Sequence, residues 1–442
     1  MRTMLKSTLR VIGAGAAIAA VVATGTTAVA NAAPEVSTAT QSPADVSFYT
    51  PPSPLPAGNP GDLIRVQNFR TIIGAPSGNG RIPAKAARIL YRSVDANGAP
   101  IAVSGYVLQS PKPWNGPGPR PVVAYAPGAH GQGDQCAPSR LLQSGATITP
   151  GGPMAEIESV ITFNLLAKGY TVVSTDFVGL GTPGLHTFGV RLDMAHAVLD
   201  SARAVRQMTD VVDPKAKVAI AGYSEGGGAA AAAAEVASTY APDLPLVGVY
   251  AGGTPTDLRK LMAYLDGNRL SAALAYAVNG LEERYPEFKA GFDPLLNATG
   301  KSVNAGVARE CIVATSFRGR PQTKTWTKSG KSYNQVLAER PDLAKFVDEQ
   351  NVGGIKPEVP VFLSANPDDP TVPPTQTREL YSKWCALKPE SVQFGEYPFP
   401  VRLIGASPIG HIAGGITGFE KAFDWLQARF EGKAPVVGCQ RS

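Results

Sequence analysis

Residues 217–228 of this chain read KVAIAGYSEGGG, and the five residues from Gly222 to Gly226 form a GxSxG motif. An apolar run precedes the motif and an alanine-rich run follows it, so the local pattern is strand, sharp turn and helix. This pattern is typical of a nucleophile elbow, in which a strained turn lifts a serine hydroxyl clear of its sheet. Because a histidine and a carbonyl carbon can then reach Ser224 from different sides, the stretch predicts an α/β-hydrolase that cleaves acyl bonds.

Short apolar runs separated by helical ones continue this pattern along the chain. Apolar residues recur at helical spacing in 155–168 and 192–208, between runs that resemble buried strands. This alternation predicts an α/β protein with a mostly parallel central sheet and helices on both faces. The expected strands cover residues 121–125, 170–175, 217–221, 246–251 and 359–364.

Two local features refine this prediction. Alternating segments within 87–108 flank Asn97 and Gly98, and both residues accept the positive φ of a type I′ turn, so we expect an antiparallel hairpin here. The run 229–237 has little side-chain bulk and follows three glycines. High helix propensity alone explains such a run, but we expect this helix to pack very close to the sheet.

About 100 residues separate the strand that ends near Gly253 from the one that starts at Val359, far more than the loops of about 2–6 residues usual in α/β units. Apolar residues at 258, 261, 262 and 265 predict an amphipathic helix in this insertion, and a second follows. In a hydrolase such an insertion becomes a cap over the active site. A packed helical subdomain without a gating role is the alternative.

The N-terminus predicts export. Arg2, Lys6 and Arg10 precede an apolar stretch of residues 11–23 and then small residues, as in a secretory signal peptide. The apolar stretch is shorter than the roughly 20 residues of a membrane anchor, so we expect no stable membrane insertion. Cleavage removes those three charges and lowers the formal charge from +6 to +3. Since no dense basic block remains, nucleic acid is not an expected partner.

The chain therefore divides into five expected regions. They are a signal peptide (1–33), a Pro-rich N-terminal arm (34–62), the first part of the α/β-hydrolase core (63–253), the helical cap insertion (254–355) and the second part of the core (356–442).

Four cysteines, Cys136, Cys311, Cys385 and Cys439, lie far apart in the sequence. In an exported protein an even number of cysteines favours disulfides. Three connectivities are possible, and we favour Cys136 with Cys311 and Cys385 with Cys439. No CxxC pair is present, so we expect no metal site.

A catalytic serine needs a histidine that takes its proton and a carboxylate that orients the histidine. In this fold the order along the chain is Ser, acid, His, and His411 is the only histidine after Ser224. We expect it on a loop just ahead of a helix over 417–428. The acid should follow the strand over 359–364, where Asp369 fits a DxxVP pattern and Asp368 better fits a turn or helix cap.

An oxyanion formed during acyl transfer needs two positioned N–H donors. One is expected from the residue after the nucleophile, Glu225, and the other from the glycine-rich loop after the strand over 121–125. We favour Ala129 in that loop, with Gly128 and His130 as alternatives. A phosphate-binding loop is disfavoured because no Lys-Ser/Thr pair follows.

Several separate motifs make the chain resemble the secretory lipase family. They are Phe48 and Tyr49 with the prolines after them, residues 60–65, Cys136 to Ser139, Thr175 to Gly181, the elbow at Ser224, and Trp384 with Cys385. The resemblance implies extracellular hydrolysis of triacylglycerols or other esters without a cofactor. It also implies a helical cap between the sixth and seventh core strands and a disulfide from Cys136 to a cysteine of that cap.

The expected function is thus a secreted triacylglycerol lipase, with a lipid or small ester as substrate and transient contact with a lipid interface. A short-chain carboxylesterase and an acyltransferase would use the same Ser224 intermediate, and the sequence does not separate them. A non-catalytic lipid-binding protein is less favoured because Ser224, Asp369 and His411 are all present. The sequence leaves the oligomeric state open.

Overall fold

The computed structural model describes residues 47–71, 75–77, 80–82, 84–149, 152–399 and 408–442. The predicted signal peptide and the first part of the predicted Pro-rich arm lie outside these residues. In chain order the strands are β1 (Leu63–Phe69), β2 (Ala75–Ser77), β3 (Gly80–Ile82), β4 (Lys85–Val94), β5 (Pro100–Gln109), β6 (Val122–Ala126), β7 (Ala146–Thr149), β8 (Gly152–Ala155), β9 (Thr171–Thr175), β10 (Val218–Tyr223), β11 (Leu246–Gly252), β12 (Val361–Ala365), β13 (Ser391–Glu396) and β14 (Gly438–Arg441).

Ten of these strands form one sheet in the order β1-β4-β5-β9-β6-β10-β11-β12-β13-β14. The pairs from β1 to β9 are antiparallel, and every pair from β9 to β14 is parallel. The mostly parallel sheet is therefore confirmed. All five strands expected from apolar runs form, with their ends displaced by at most two residues.

The helices are α1 (Pro138–Ser144), α2 (Ser159–Ala167), α3 (Arg191–Arg206), α4 (Glu225–Tyr240), α5 (Leu258–Leu265), α6 (Leu274–Arg284), α7 (Pro286–Phe292), α8 (Ala298–Val307), α9 (Ile312–Ser316), α10 (Tyr333–Glu339), α11 (Pro341–Asp348), α12 (Pro374–Ala386) and α13 (Pro408–Phe430). Successive side chains of β10 point to opposite faces of the sheet. Val218 and Ile220 join the core formed with α3, α4 and α12, whereas Ala219 and Ala221 join the core formed with α2 and α13.

Helix α4 lies against the sheet as closely as its small residues predict. A Cβ atom at Gly226 would lie 1.9 Å from the carbonyl oxygen of Ala126, and one at Gly227 would lie 2.1 Å from that of Gly252. Both distances are far inside van der Waals contact. The helix therefore packs directly against the backbone of the strands β6 and β11, and glycine is required at both positions.

The antiparallel hairpin expected within 87–108 forms from β4 and β5, but its turn type and two other local predictions are wrong. Among the described residues Asn97 does not have a positive φ, and only Gly98 of that pair does (+81°). The Asp95 carboxylate accepts the N–H groups of Asn97 and Ala99, which stabilises a longer loop with glycine in the left-handed position. The helix expected over 155–168 begins only at Ser159, because β8 takes up residues 152–155.

The third error concerns His411. It lies within α13, which begins at Pro408, rather than on a loop ahead of a helix. The glycines around His411 suggest a loop in the sequence. Proline is favoured at the first position of a helix, however, and the helix here begins at Pro408 and continues through these glycines.

Seven helices, α5 to α11, lie between β11 and β12, where the sequence predicts the insertion. They have a core of their own, which includes Leu261, Leu281, Phe292, Trp326 and Tyr333. None of the helices in the described residues is long and apolar enough to cross a membrane.

The residues before β1 contact the body of the protein. Phe48 and Tyr49 are buried, and the Tyr49 hydroxyl is 2.8 Å from the Ser139 hydroxyl at the start of α1. The Arg65 guanidinium on β1 donates to the carbonyl oxygens of Ser47 and Phe48. These contacts hold residues 47–49 against α1 and β1.

Two disulfides join distant segments with the pairing predicted from the sequence, Cys136 to Cys311 and Cys385 to Cys439. The first links the loop after β6 to the insertion, where Gly131 also forms an antiparallel bridge with Cys311. The second links α12 to the edge strand β14. The first disulfide therefore connects the insertion to the glycine-rich loop.

We expect Cys136→Ser with Cys311→Ser to lower the free energy of unfolding by about 2–5 kcal/mol and to reduce activity, because the glycine-rich loop loses its covalent link. Cys385→Ser with Cys439→Ser is the matched control. It opens a loop of 54 rather than 175 residues, so its stability loss should be about 1 kcal/mol smaller, with activity retained. Thermal unfolding and ester hydrolysis of both variants check this, and equal activity loss in the two would contradict it.

Candidate active site

Ser224 occupies the sharp turn between β10 and α4. Its φ of +60° and ψ of −125° are unusual for a residue with a side chain, and its N–H donates to the carbonyl oxygen of Gly252. A Cβ atom at Gly222 would lie 2.1 Å from the carbonyl oxygen of Gly226, so the turn closes only with glycine there. The side chain of Ser224 is consequently lifted off the end of the sheet and remains partly exposed.

Three side chains predicted from the sequence form a continuous chain of hydrogen bonds. His411 Nε2 lies 2.8 Å from Ser224 Oγ, and His411 Nδ1 lies 2.7 Å from Asp369 Oδ2. Asp369 Oδ1 accepts the N–H groups of Thr371 and Val372 at 2.8 and 2.9 Å. The DxxVP turn thus holds one carboxylate oxygen and leaves the other for the imidazole.

The ionisation of Asp369 suits this arrangement. Burial raises the pKa of the carboxyl, but the charge and hydrogen bond of His411 and the two turn N–H groups outweigh burial and lower the pKa below its usual value. Asp369 therefore stays ionised at neutral pH and keeps the Nδ1–H tautomer of His411. In that tautomer Nε2 is free to accept the Ser224 proton.

The neighbouring Asp368 has a different environment. Its side chain is exposed, and its N–H donates to the side-chain oxygen of Asn366 at 3.2 Å. Asp368 belongs to the turn, whereas Asp369 faces the histidine. The two adjacent aspartates are therefore distinguished by burial.

Tyr223 is a residue of the site that sequence reasoning missed. Its hydroxyl lies 2.9 Å from the carbonyl oxygen of His411 and 3.3 Å from Asp369 Oδ2, and its ring centroid is 4.9 Å from that of His411. Burial and the charge of Asp369 raise the pKa of the phenol well above its usual value. The protonated hydroxyl helps to fix both partners of Ser224. Its place inside the GxSxG motif is the only signal the sequence offers.

The insertion contacts the loop that carries Asp369. The hydroxyl of Tyr264, on α5, donates to the carbonyl oxygen of Asp369 at 2.8 Å. The side-chain amide of Asn268 donates to the carbonyl oxygen of Pro370 at 3.0 Å. Two residues of the insertion, Tyr264 and Asn268, thus hold the backbone of the loop that carries Asp369.

The glycine-rich loop after β6 lies beside Ser224. The Gly128 N–H donates to both carboxylate oxygens of Glu158 at 3.0 Å. In the described part of the chain, the N–H groups of Ala129, His130 and Glu225 donate to no protein acceptor. Gly128 is therefore the least suitable of the three alternatives in the loop, and the roles of Ala129 and Glu225 as oxyanion donors stay predictions.

The histidines before Ser224 have other partners. His130 Nε2 lies 3.1 Å from Glu156, and His186 Nε2 lies 2.9 Å from Glu225, all four side chains being buried. His196 stacks on Tyr240 with ring centroids 3.9 Å apart. The Glu225 carboxylate is thus bound inside the protein, although it follows the nucleophile directly in the sequence.

A family model described as secretory lipase matches residues 143–438 of the chain. Lipase 10 of Candida albicans is 29% identical over 412 residues, which cover 90% of this chain and 84% of that protein. Lipase A of Moesziomyces aphidis is 26% identical over 423 residues, which cover 90% of this chain and 82% of that protein.

Solved structures show the same architecture. Candida antarctica lipase A in its closed state superimposes with a TM-score of 0.73 at 23% identity, covering 89% of this chain and 87% of that chain. The rice cell wall degrading esterase LipA from Xanthomonas oryzae gives a TM-score of 0.65 at 17% identity, covering 85% and 100%. These likenesses show the α/β-hydrolase fold. With the match over 143–438, the chain belongs to the secretory lipase family and is a carboxylic ester hydrolase.

Proposed function

We propose that this protein is an extracellular lipase that hydrolyses triacylglycerols through an acyl intermediate on Ser224. The observation that carries the proposal is the unbroken chain of hydrogen bonds from Asp369 through His411 to Ser224. Export is supported by the N-terminal sequence, by the family and by two disulfides, which persist in oxidising compartments.

This geometry supports the following first half of the reaction. Ser224 Oγ attacks the ester carbonyl carbon while His411 Nε2 takes the hydroxyl proton, and Asp369 stabilises the imidazolium. The carbonyl oxygen becomes an oxyanion, which the N–H groups of Glu225 and Ala129 receive. The C–O bond then breaks, and His411 returns the proton to the departing alcohol.

The second half repeats these steps with water. His411 removes a proton from water, the hydroxide attacks the acyl carbon, and the bond to Ser224 breaks as the serine recovers its proton. An acyltransferase would differ only at this stage, with an alcohol in place of water.

In this proposal residues 254–355 cap the site and border the acyl chain. The carbonyl oxygen of His130 accepts the N–H of Ile312 at the start of α9, so the cap contacts the glycine-rich loop. Ile412, directly after His411, is 42% exposed, and Phe317 of the cap is 66% exposed. Single exposed apolar side chains are common on protein surfaces, so transient contact with a lipid surface is supported by the lipase family rather than by these two residues.

A series of p-nitrophenyl esters from acetate to palmitate, assayed as monomers and as aggregates beside emulsified triacylglycerol, tests the substrate class. We expect the rate to rise with acyl length and at the interface, because the family and the relatives that the chain matches are lipases. A preference for short soluble esters would instead identify an esterase. Transfer of the acyl group to an added alcohol in preference to water would identify an acyltransferase.

A further inference from the structure

Glu158 lies beside the nucleophile but takes no part in the triad. It directly precedes α2, and both its carboxylate oxygens accept the N–H of Gly128. The Tyr125 hydroxyl, on β6, donates to Glu158 Oε2 at 3.0 Å. All three contacts go to the strand and loop that carry the expected oxyanion donor.

The position of Gly128 shows how close this carboxylate is to Ser224. A Cβ atom built on Gly128 would lie 2.6 Å from Glu158 Oε1 and 3.6 Å from Ser224 Cβ. The carboxylate and the nucleophilic residue therefore approach the same point. Glycine at 128 keeps the space that the carboxylate occupies.

The carbonyl oxygen of Gly128 is held as well. His130 Nδ1 lies 2.7 Å from it, and His130 Nε2 lies 3.1 Å from Glu156. Since both neighbours accept, both ring nitrogens must donate. Burial lowers the pKa of His130, but the charge and hydrogen bond of Glu156 and the charge of Glu158 outweigh burial and raise it to about 10. His130 is therefore protonated at neutral pH and can donate to both.

Fixing this carbonyl fixes the next amide. The C=O of Gly128 and the N–H of Ala129 belong to one planar trans peptide, in which they point in opposite directions. With the carbonyl bound to His130 and the preceding N–H bound to Glu158, the peptide cannot rotate. The direction of the Ala129 N–H is thereby set.

We propose that Glu158 and His130 are positioning residues that clamp Gly128 and so aim the Ala129 N–H at the oxyanion. This inference rests on the proposed function. Burial raises the pKa of Glu158 to about 7, with the charge of Glu156 adding and that of His130 opposing. Glu158 is therefore partly protonated at neutral pH, and either form offers an oxygen to the Gly128 N–H. The clamp needs an acceptor at this position and does not need a charge.

Glu158→Ala and Glu158→Gln form a matched pair for the test. Loss of the acceptor in the alanine variant should lower kcat about 10- to 100-fold with KM little changed, because a misdirected donor weakens only transition-state binding. The glutamine variant keeps an oxygen acceptor and should retain most of kcat. Affinity for an alkyl boronic acid, which forms a tetrahedral adduct with serine, should fall in parallel with kcat.

Two results would overturn the clamp. One is a kcat of Glu158→Ala within about twofold of the unmodified enzyme. The other is equal loss in the glutamine and alanine variants. In both cases the proposed function would still hold if the unmodified enzyme is active and the Ser224→Ala variant is inactive. Failure of the unmodified enzyme to cleave any ester would instead contradict the proposed function.

A second pair keeps the test decisive if Glu158→Ala does not fold. His130→Asn and His130→Ala, each combined with Glu156→Gln, both remove the buried charge pair. Only asparagine keeps a nitrogen donor near the position of Nδ1. The proposal requires a higher kcat in the asparagine variant, and equal kcat values would refute it.

Discussion

Ser224→Ala should abolish ester hydrolysis, with kcat lowered by roughly a millionfold, as when the nucleophile of a triad is removed. Without Oγ no acyl intermediate can form, and His411 has no hydroxyl to deprotonate. Only the catalysis that the oxyanion donors and substrate binding provide should remain. Hydrolysis of p-nitrophenyl butyrate by the purified variant measures it.

Ser238→Ala is the matched control for this variant. Ser238 lies on the same helix, α4, and is exposed, so its loss should leave both activity and thermal unfolding unchanged. Activity persisting in Ser224→Ala would show that another residue is the nucleophile. Unfolding at a much lower temperature would instead indicate a structural effect. We expect none, because serine and alanine bear the same backbone strain at these angles.

Asp369→Asn should lower kcat about ten-thousandfold with little effect on KM. An amide placed against His411 Nδ1 can donate to that nitrogen, which favours the tautomer with the proton on Nε2 and removes the base. It also loses the charge that stabilises the imidazolium. The variant should fold, since the remaining side-chain oxygen can still accept the N–H groups of Thr371 and Val372.

The adjacent Asp368→Asn provides the comparison. It makes the same chemical change one residue earlier, on an exposed side chain, so kcat should stay within about twofold of the unmodified enzyme, as for most surface substitutions. A large loss in Asp368→Asn together with a small one in Asp369→Asn would reverse the assignment of the acid.

The stability contribution of Asp369 also depends on pH in a defined direction. Its pKa in the folded protein is below the usual value. Such a group stabilises the fold above the pKa of the unfolded chain, and this contribution is lost as pH falls through the folded-state pKa. Asp369→Asn should therefore narrow the difference in thermal stability between neutral and acid solution.

The sequence predicts the sheet and the triad because both depend on order along the chain. Buried parallel strands are recognisable as apolar runs, and the hydrolase topology places serine, acid and histidine in that chain order after different strands of the sheet. Asp369 is favoured over Asp368 in the sequence because only Asp369 fits the DxxVP pattern. The structure shows the physical basis of that pattern, since the turn after Asp369 supplies two N–H groups to one carboxylate oxygen. The signals for the strands, the elbow and the acid lie within a few residues of the side chain concerned, whereas His411 is identified by its position after Ser224 in the chain.

The residues that sequence reasoning missed depend on contacts between distant segments. Glu158 meets Gly128 across 30 positions, and Tyr264 meets Asp369 across 105. Glu156 and Glu158 read as ordinary polar residues of an expected helix, and only β8 and the turn before α2 direct them inward. No periodicity or spacing encodes such pairs.

Attachment of the insertion between β11 and β12 at two places limits how this enzyme can be redesigned. Cys311 joins the insertion to the glycine-rich loop beside Ser224 through a disulfide and a backbone bridge. Tyr264 joins the insertion to the loop that carries Asp369 through a hydrogen bond. A chimera that takes its insertion from a relative would lose both contacts unless the donor segment brings equivalents of Cys311 and Tyr264. If the insertion borders the acyl chain as proposed, its acyl preference is better changed by altering single side chains than by exchanging the whole insertion.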